Sequence, residues 1–260
     1  MNLAIRGFSA DLGKEPDDTF ARDQFPDLKF DHIMANPPFN ISDWGGEKYE
    51  SDPRWQFGRP PVGNANYAWL QHILWKLRPG GRAGVVLATG ALNSNVGEER
   101  QIRKSMVLNG KVEMIISLPG QIFPNSPTTR VSIWILGNQK SPTKKVLFID
   151  ARRLGMMVSR VLRVLTENDI AAIQSTVTKW RENNGYEDTP GFSRCVSLNV
   201  IEENGFDLVP GRYIESLSND DVQVNFEERL HTLGAELFSL RDRVSSLDES
   251  IGRNLKKIGF

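Results

Sequence analysis

The chain has one cysteine and three histidines among its 260 residues, and no apolar run approaches the roughly 20 residues of a membrane-spanning helix. Cys195 alone cannot form an internal disulfide, so a reducing compartment is expected, and no cysteine or histidine cluster has the spacing of a metal site. The first residues lack the charged and then apolar pattern of a signal peptide. These absences predict a cytoplasmic protein that binds no metal.

An excess charge of either sign is also lacking, because 32 lysines and arginines balance 32 aspartates and glutamates. A protein that binds DNA by itself through a broad basic face carries a positive excess, so this class is disfavoured. Hydrophobic residues make up 39% of the chain, which at this length suffices for one core and a smaller appendage.

The most informative segment is residues 30–39, an apolar run that ends at Asn36, Pro37, Pro38 and Phe39. The apolar run predicts a short strand that is buried on both faces of a parallel sheet. Each proline fixes its own φ and disfavours the helical region for the residue before it, so strand pairing ends here in a rigid, extended turn. Open α/β sheets bind their ligands at such strand ends.

This turn suits the binding of a planar amine. The side-chain oxygen of Asn36 and the carbonyl of Pro37 are two acceptors on one stiff scaffold, and Phe39 offers a flat face for stacking. A base from a duplex would have to be flipped out to reach it, and stacking contributes about 1–3 kcal/mol toward that cost. The alternative is that Asn-Pro is a simple turn former and Phe39 a core anchor.

The Asn-Pro-Pro-Phe turn resembles the amine-binding loop of methyltransferases. Further segments are similar to those of the modification (methyltransferase) subunit of type I restriction-modification systems, namely residues 1–7, 10–13, 18–20, 66–72, 77–82 and 118–123. The resemblance implies an α/β fold built on a partial Rossmann-like sheet of the class I S-adenosylmethionine-dependent kind. It also implies adenine-specific DNA methylation, with Asn36, Pro37, Pro38 and Phe39 as the catalytic residues.

The same resemblance places Asp18 near the adenine of S-adenosylmethionine, although an Asp here equally suits the cap of a helix or turn. One departure is clear, because the family's Gly-rich cofactor loop is not found in this sequence. Gly80 and Gly81 are predicted to form a helix-to-strand turn instead. We therefore expect a truncated or split subunit with an incomplete cofactor site. Two strands would then be missing between one near Asp11 and the strand at 30–35, which leaves an unpaired edge.

A nucleic-acid-facing loop is predicted around residues 44–59, where cations that suit phosphates alternate with aromatic rings that suit bases. The candidate contacts are Trp44, Lys48, Arg54 and Arg59. The alternative is a solvated lid whose aromatic side chains pack inward.

Hydrophobic periodicity predicts the remaining elements. Helices are expected at 66–77, 98–108 and 167–183, strands at 83–88, 111–118, 129–136 and 146–149, and irregular structure at 184–212. The loop at 120–128 either lines the base pocket or only connects two strands. The pattern divides the chain into the C-terminal part of a catalytic domain (1–150), a mixed linker region (151–219) and a long amphipathic helix (220–260).

That last helix carries apolar residues that step by four and three, which is a heptad pattern typical of a coiled coil. These residues are Val222, Phe226, Leu230, Leu233, Leu237, Leu240, Val244, Leu247 and Ile251. The resemblance implies the specificity subunit as its partner, and the restriction subunit as a further one. Packing against the chain's own domain is the alternative.

Three functions stay open from the sequence. The first is the adenine-specific DNA methyltransferase subunit of a type I system, with DNA as substrate. The second is a catalytically inactive, truncated subunit that acts only in assembly or binding. The third and weakest is a protein-glutamine methyltransferase, because a glutamine amide poses the same chemical problem.

Overall fold

The computed structural model describes residues 5–139 and 144–214 and, near the C terminus, 233–235, 237–241, 243–244 and 247. The chain forms two compact units, Met1–Glu215 and Ser216–Phe260. The boundary predicted at residue 150 lies inside the first unit, because a later strand joins the same sheet.

The first unit is built around a six-stranded mixed sheet in the order β1-β2-β4-β3-β5-β8. Its strands are β1 (Phe30–Ala35), β2 (Leu77–Ala88), β3 (Val112–Ser117), β4 (Val131–Gly137), β5 (Lys145–Asp150) and β8 (Ser193–Ser197). A separate hairpin pairs β6 (Met156–Met157) with β7 (Arg163–Val164). The helices are α1 (Asn66–Lys76), α2 (Gly97–Leu108), α3 (Glu167–Arg181) and α4 (Leu198–Glu203), and 3-10 turns occupy Gly46–Tyr49, Thr89–Leu92 and Pro210–Arg212.

Strand direction decides where the loops lie. β1 is parallel to β2, β3 is parallel to β5, and β4 runs antiparallel to both β2 and β3. The carboxyl ends of β1, β2, β3 and β5 therefore meet at one edge of the sheet, called here the carboxyl edge. Four segments, at 36–45, 89–96, 118–130 and 151–165, leave the sheet at this edge.

The core lies on both faces of the central strands. Every residue of β3 is buried, with Ile115 in one apolar cluster and Met114 and Ile116 in the other. Trp134 of β4 is fully buried beside Tyr67 of α1, as expected for strands covered on both faces. The predicted α/β fold is confirmed. The helices and strands expected between 66 and 183 are also confirmed, with bounds that differ by one or two residues everywhere except at β2. β2 begins at Leu77 rather than at residue 83, so Gly80 and Gly81 lie within this strand and not in the predicted helix-to-strand turn.

Two predicted elements are wrong. Residues 184–212 are not irregular, because β8 pairs antiparallel with β5 and α4 follows it directly. Residues 5–29 contain no strand, so the strand expected near Asp11 does not form. The physical reason is the same in both cases. A short strand forms only where a neighbour accepts its backbone hydrogen bonds, and β5 provides one whereas nothing described near Asp11 does.

β1 departs from its prediction in a further way. Among the described residues its only strand neighbour is β2, so the expected unpaired edge is confirmed. Burial on both faces was expected and is wrong, since Met34 is 94% exposed and Phe30 is also exposed. Apolar side chains on an open edge strand mark a surface that suits a further strand or segment.

The described residues of the second unit are helical. Five heptad residues fall among them, and each is more than half exposed (55–66%): Leu233, Leu237, Leu240, Val244 and Leu247. The other four, Val222, Phe226, Leu230 and Ile251, lie outside the described residues. None of the helices in the described part of the chain has the length and apolar content needed to cross a membrane.

Candidate active site at the carboxyl edge of the sheet

The Asn-Pro-Pro-Phe turn leaves β1 at the carboxyl edge with its polar groups available. Asn36 and Pro38 are exposed, whereas Pro37 is buried and fixes the turn against the core. The Asn36 side chain makes no hydrogen bond to any residue that the structure describes. An exposed amide on a rigid turn can therefore bind a ligand without first breaking an internal contact.

A pair of asparagines braces the turn from its other end. Asn40 has a left-handed backbone (φ 54°), and its N–H donates to Asn66 Oδ1 at 3.0 Å. Asn66 Nδ2 donates in return to Asn40 Oδ1 at 2.8 Å. Because Asn66 is buried at the start of α1, this reciprocal pair ties the turn to a rigid helix.

Aromatic rings from two loops meet beside the turn. The ring of Phe39 lies 6.3 Å from that of Phe123, measured between centroids, at an interplanar angle of 60°. Both rings are half-buried, and Phe39 packs on the apolar clusters of both sheet faces. The 120–128 loop therefore reaches the predicted base-binding turn, and Phe39 contacts the core while remaining partly exposed.

A groove of about 620 Å³ runs beside the free edge of β1. Ile33 and Met34 of β1 form one wall, and residues of the 12–25 segment, including Asp17 and Thr19, form the other. Asp18 lies between these two in the sequence and is exposed, but it is not among the residues that line the groove. Its Oδ1 accepts the Phe20 N–H at 2.8 Å. One carboxylate oxygen of Asp18 therefore caps a turn, which leaves the other available toward solvent.

Arg54, predicted to contact nucleic acid, is buried and fully engaged. Its guanidinium donates to both carboxylate oxygens of Asp52 and to the carbonyls of Thr19 and Phe20. The remaining N–H points at His72 Nδ1, 3.2 Å away. All five donors are used, so Arg54 joins the 52–55 segment to the segment that carries Asp18.

The contact with Arg54 also decides the state of His72. Arginine only donates, so His72 Nδ1 must accept and the ring is neutral with its proton on Nε2. Burial, followed by the charge of Arg54, lowers the pKa of His72 from its ordinary 6.5 to about 4. The ring is therefore uncharged at neutral pH.

Of the other three predicted nucleic-acid contacts, one is buried and two are exposed. Trp44 is buried in an aromatic cluster, with its ring 5.0 Å from that of Phe20 and its Nε1 donating to the Pro61 carbonyl. Lys48 is exposed, and Arg59 is exposed in an ion pair with Glu50. Only Lys48 and Arg59 face solvent, so the loop does not present its four predicted contacts on one surface.

Sequence reasoning missed four residues of this site: Asn40, Asn66, His72 and Phe123. Asn66, His72 and Phe123 fall within segments that resemble the modification subunit, which is a signal without an assigned role. Asn40 has the only direct signal, because asparagine is the residue other than glycine that most readily accepts a left-handed backbone.

Comparison with known proteins shows the family of the chain. Residues 1–221 match the family model described as N-6 DNA Methylase, which is more than half of the chain. The chain belongs to this family. It is 42% identical over its whole length to the type I restriction enzyme HindI methylase subunit of Haemophilus influenzae, covering 58% of that protein. It is also 36% identical to the MjaIX methylase subunit of Methanocaldococcus jannaschii, covering all of this chain and 48% of that protein.

A solved structure extends the likeness to the fold. The type I methyltransferase subunit from Streptococcus thermophilus matches with a TM-score of 0.64 at 26% identity, over 73% of this chain and 39% of that one. The chain thus spans about half the length of the curated relatives it matches.

Proposed function

We propose that this chain carries the target-base half of an adenine-specific DNA methyltransferase subunit of a type I restriction-modification system. The observation that carries the proposal is the unused Asn36 amide on a braced turn at the carboxyl edge. Two relatives also support the proposal, because the chain matches them over its whole length and both are named type I methylase subunits.

The proposed chemistry is the binding of an exocyclic amine. Asn36 Oδ1 and the Pro37 carbonyl accept the two N–H bonds of a flipped adenine, which favours a more tetrahedral nitrogen with a freer lone pair. Phe39 stacks on the base and offsets part of the cost of unstacking it. The stiffness of Pro37 and Pro38 keeps the acceptors in place, and the released proton passes to water.

S-adenosylmethionine is the proposed methyl donor, but the residues present fit only one side of a site for it. Asp18 and the groove beside β1 provide that side. No two glycines stand two residues apart in the 260 residues, so the sequence contains no G-x-G turn of the kind that approaches a cofactor closely. We infer that the rest of the site comes from a segment outside residues 1–260 that pairs with the free edge of β1.

The proposed partners are DNA, the specificity subunit and the restriction subunit. Lys48 and Arg59 are proposed phosphate contacts, with Trp44 and Arg54 holding their loop. The specificity subunit is proposed to cover the exposed heptad residues of the C-terminal helix. The complex is proposed to act on DNA in the cytoplasm.

The test is complementation. The portion of the Haemophilus influenzae relative that this chain does not cover is supplied, together with a specificity subunit, and methyl transfer to duplex DNA and binding of labelled S-adenosylmethionine are measured. We expect both only after complementation. Binding without transfer under all conditions would favour the inactive assembly role, and transfer to a glutamine peptide would favour the third function.

Asn36→Ala tests the assigned residue in the same assay. Loss of one preorganised acceptor should lower transfer about 10²- to 10³-fold while cofactor binding is kept. Asn184→Ala, which removes an exposed amide elsewhere, is the matched control and should be neutral. Retained turnover in Asn36→Ala contradicts the role given to this residue.

A further inference from the structure

The β6–β7 hairpin has no part in the chemistry described above, yet it stands at the same edge of the sheet. It follows β5, whose carboxyl end lies at the carboxyl edge together with that of β1. Four strand intervals separate β1 from β5 in the sheet, which is about 19 Å at the usual strand spacing. The hairpin and the base-binding turn therefore face the same side of the molecule.

Hydrogen bonds hold the hairpin against the loop that reaches the turn. The Arg163 N–H donates to the Gln121 carbonyl at 2.8 Å, and Gln121 Nε2 donates to the Arg160 carbonyl at 3.2 Å. Gln121 has a left-handed backbone (φ 64°) at the start of the loop whose Phe123 ring contacts Phe39. The position of the hairpin is thus fixed relative to the site.

The charge of residues 151–165 is one-sided, and two carboxylates outside the segment contact it, Asp150 at Arg152 and Asp169 at the Gly155 N–H. Residues 151–165 contain four arginines and no aspartate or glutamate, in a chain whose net charge is zero. Arg152 pairs with Asp150, and Arg163 donates to the carbonyls of Leu154 and Gly155. Arg153 and Arg160 are exposed, and neither guanidinium bonds to a residue in the described ranges.

Exposed apolar side chains accompany these two arginines. Five of them, each 40–59% exposed, lie on or next to the hairpin: Met156, Met157, Val158, Val161 and Val164. A surface patch of this kind marks a site of interaction. The arginines point to a polyanion as the partner, because no acidic side chain of the segment balances them.

We propose that the β6–β7 hairpin binds the DNA duplex beside the flipped base, with Arg153 and Arg160 on phosphates and the apolar residues against the sugars. This inference rests on the proposed function, because it takes the substrate to be DNA. The 19 Å offset corresponds to about five or six nucleotides along one strand. The contact positions the duplex and reads no base.

The test measures duplex binding by the 260-residue chain in fluorescence anisotropy, from 50 to 300 mM salt. Arg153→Gln/Arg160→Gln should reduce the slope of log K against log salt by about 1.8, and should weaken binding about thirty-fold at 0.15 M. Arg78→Gln/Lys179→Gln removes two charges from the opposite edge of the sheet and should leave the slope unchanged. Arg78, at the start of β2, forms an ion pair with Asp31 of β1. Lys179 is exposed near the end of α3.

Three outcomes overturn the proposal: no duplex binding by the unaltered chain, an unchanged slope in the hairpin variant, or an equal loss in the control. A variant that keeps its slope but no longer co-elutes with the specificity subunit would make the hairpin a protein-docking surface. The readout is separate from methyl transfer. A reduced slope, with no methyl transfer even in the complemented complex, supports the hairpin and counts against the proposed function. An unchanged slope, with transfer in the complemented complex, supports the proposed function and counts against the hairpin.

Discussion

The Asn36 turn and the 206–214 segment use their polar groups in opposite ways. In the second segment Asp207 accepts from the Val209 N–H and from Arg212, and the Tyr213 hydroxyl donates to the Asp207 carbonyl. Arg103 holds the Phe206 carbonyl at 2.7 Å, and Arg194 holds that of Tyr213. At the Asn36 turn, by contrast, the amide makes no such contact.

The difference separates structural from functional polar residues. A buried polar group with all its partners inside the chain stabilises the fold, and its loss leaves other groups unsatisfied. An exposed group on a rigid turn contributes little to stability and is free for a ligand. Arg54 belongs with the 206–214 segment by this criterion, although its sequence neighbours suggested a nucleic-acid contact.

The largest expected effect is on the stability of the internally bonded segment. Arg103→Ala removes donors to the Phe206 and Ser94 carbonyls and opens a cavity, so the free energy of unfolding should fall by about 3–5 kcal/mol. Asn36→Ala should change it by less than about 0.5 kcal/mol. Chemical denaturation of both variants measures the contrast, and similar losses in the two would remove the distinction.

A pH effect of nearly the same size is expected from His72. Its pKa is about 4 in the folded chain and about 6.5 when unfolded, so the unfolded state takes up the proton first as the pH falls. The free energy of unfolding therefore keeps its full value above pH 6.5 and falls by about 3 kcal/mol between pH 6.5 and 4. The stability of the unaltered chain should be followed by denaturation across this range.

His72→Gln is the matched control for this effect. A glutamine oxygen can accept from Arg54 but does not titrate, so the loss above pH 4 should largely vanish. Asp23 and Asp52 have lowered pKa values, and their contribution is lost below about pH 3.8, outside this window. Parallel stability curves for the two chains would show that His72 is not the titrating group.

Asn66 connects the structural and the functional polar residues, because it is buried yet supports the exposed Asn36 turn. Asn66→Ala removes both hydrogen bonds between Asn66 and Asn40, and should lower the free energy of unfolding by about 1–3 kcal/mol. It should also lower the rate of methyl transfer in the complemented complex more than it weakens DNA binding, because the acceptors lose their alignment. A stability loss with an unaltered rate constant would restrict Asn66 to a structural role.

The smallest effect on stability is expected at the C-terminal helix. Leu237 lies in the heptad stripe and Phe238 lies outside it, and both are exposed to the same extent (66%). Leu237→Asp and Phe238→Asp should each change stability by less than about 0.5 kcal/mol. Only Leu237→Asp should abolish co-elution with the specificity subunit in size-exclusion chromatography. Equal behaviour of the two variants would exclude the heptad stripe as the interface.

Much of the fold was predictable because its signals are local. The period of the apolar residues placed α1, α2 and β3 within a few residues of their observed bounds, and the two prolines dictated the end of β1. The loop at 120–128 was predicted only as one of two alternatives, since no pattern within it indicates the approach of Phe123 to Phe39.

What the sequence alone determined is therefore the order of the elements between residues 66 and 150 and the rigid Asn-Pro-Pro-Phe turn, which depend on residues near one another in the chain. Only the tertiary structure decided that Arg54 uses all its donors within the chain, that β8 extends the sheet and that Met34 is exposed on an edge strand. It also decided that the 151–165 arginines stand at the edge where the turn lies. Burial, strand pairing and the partners of a side chain depend on segments distant in sequence, so no local pattern contains them.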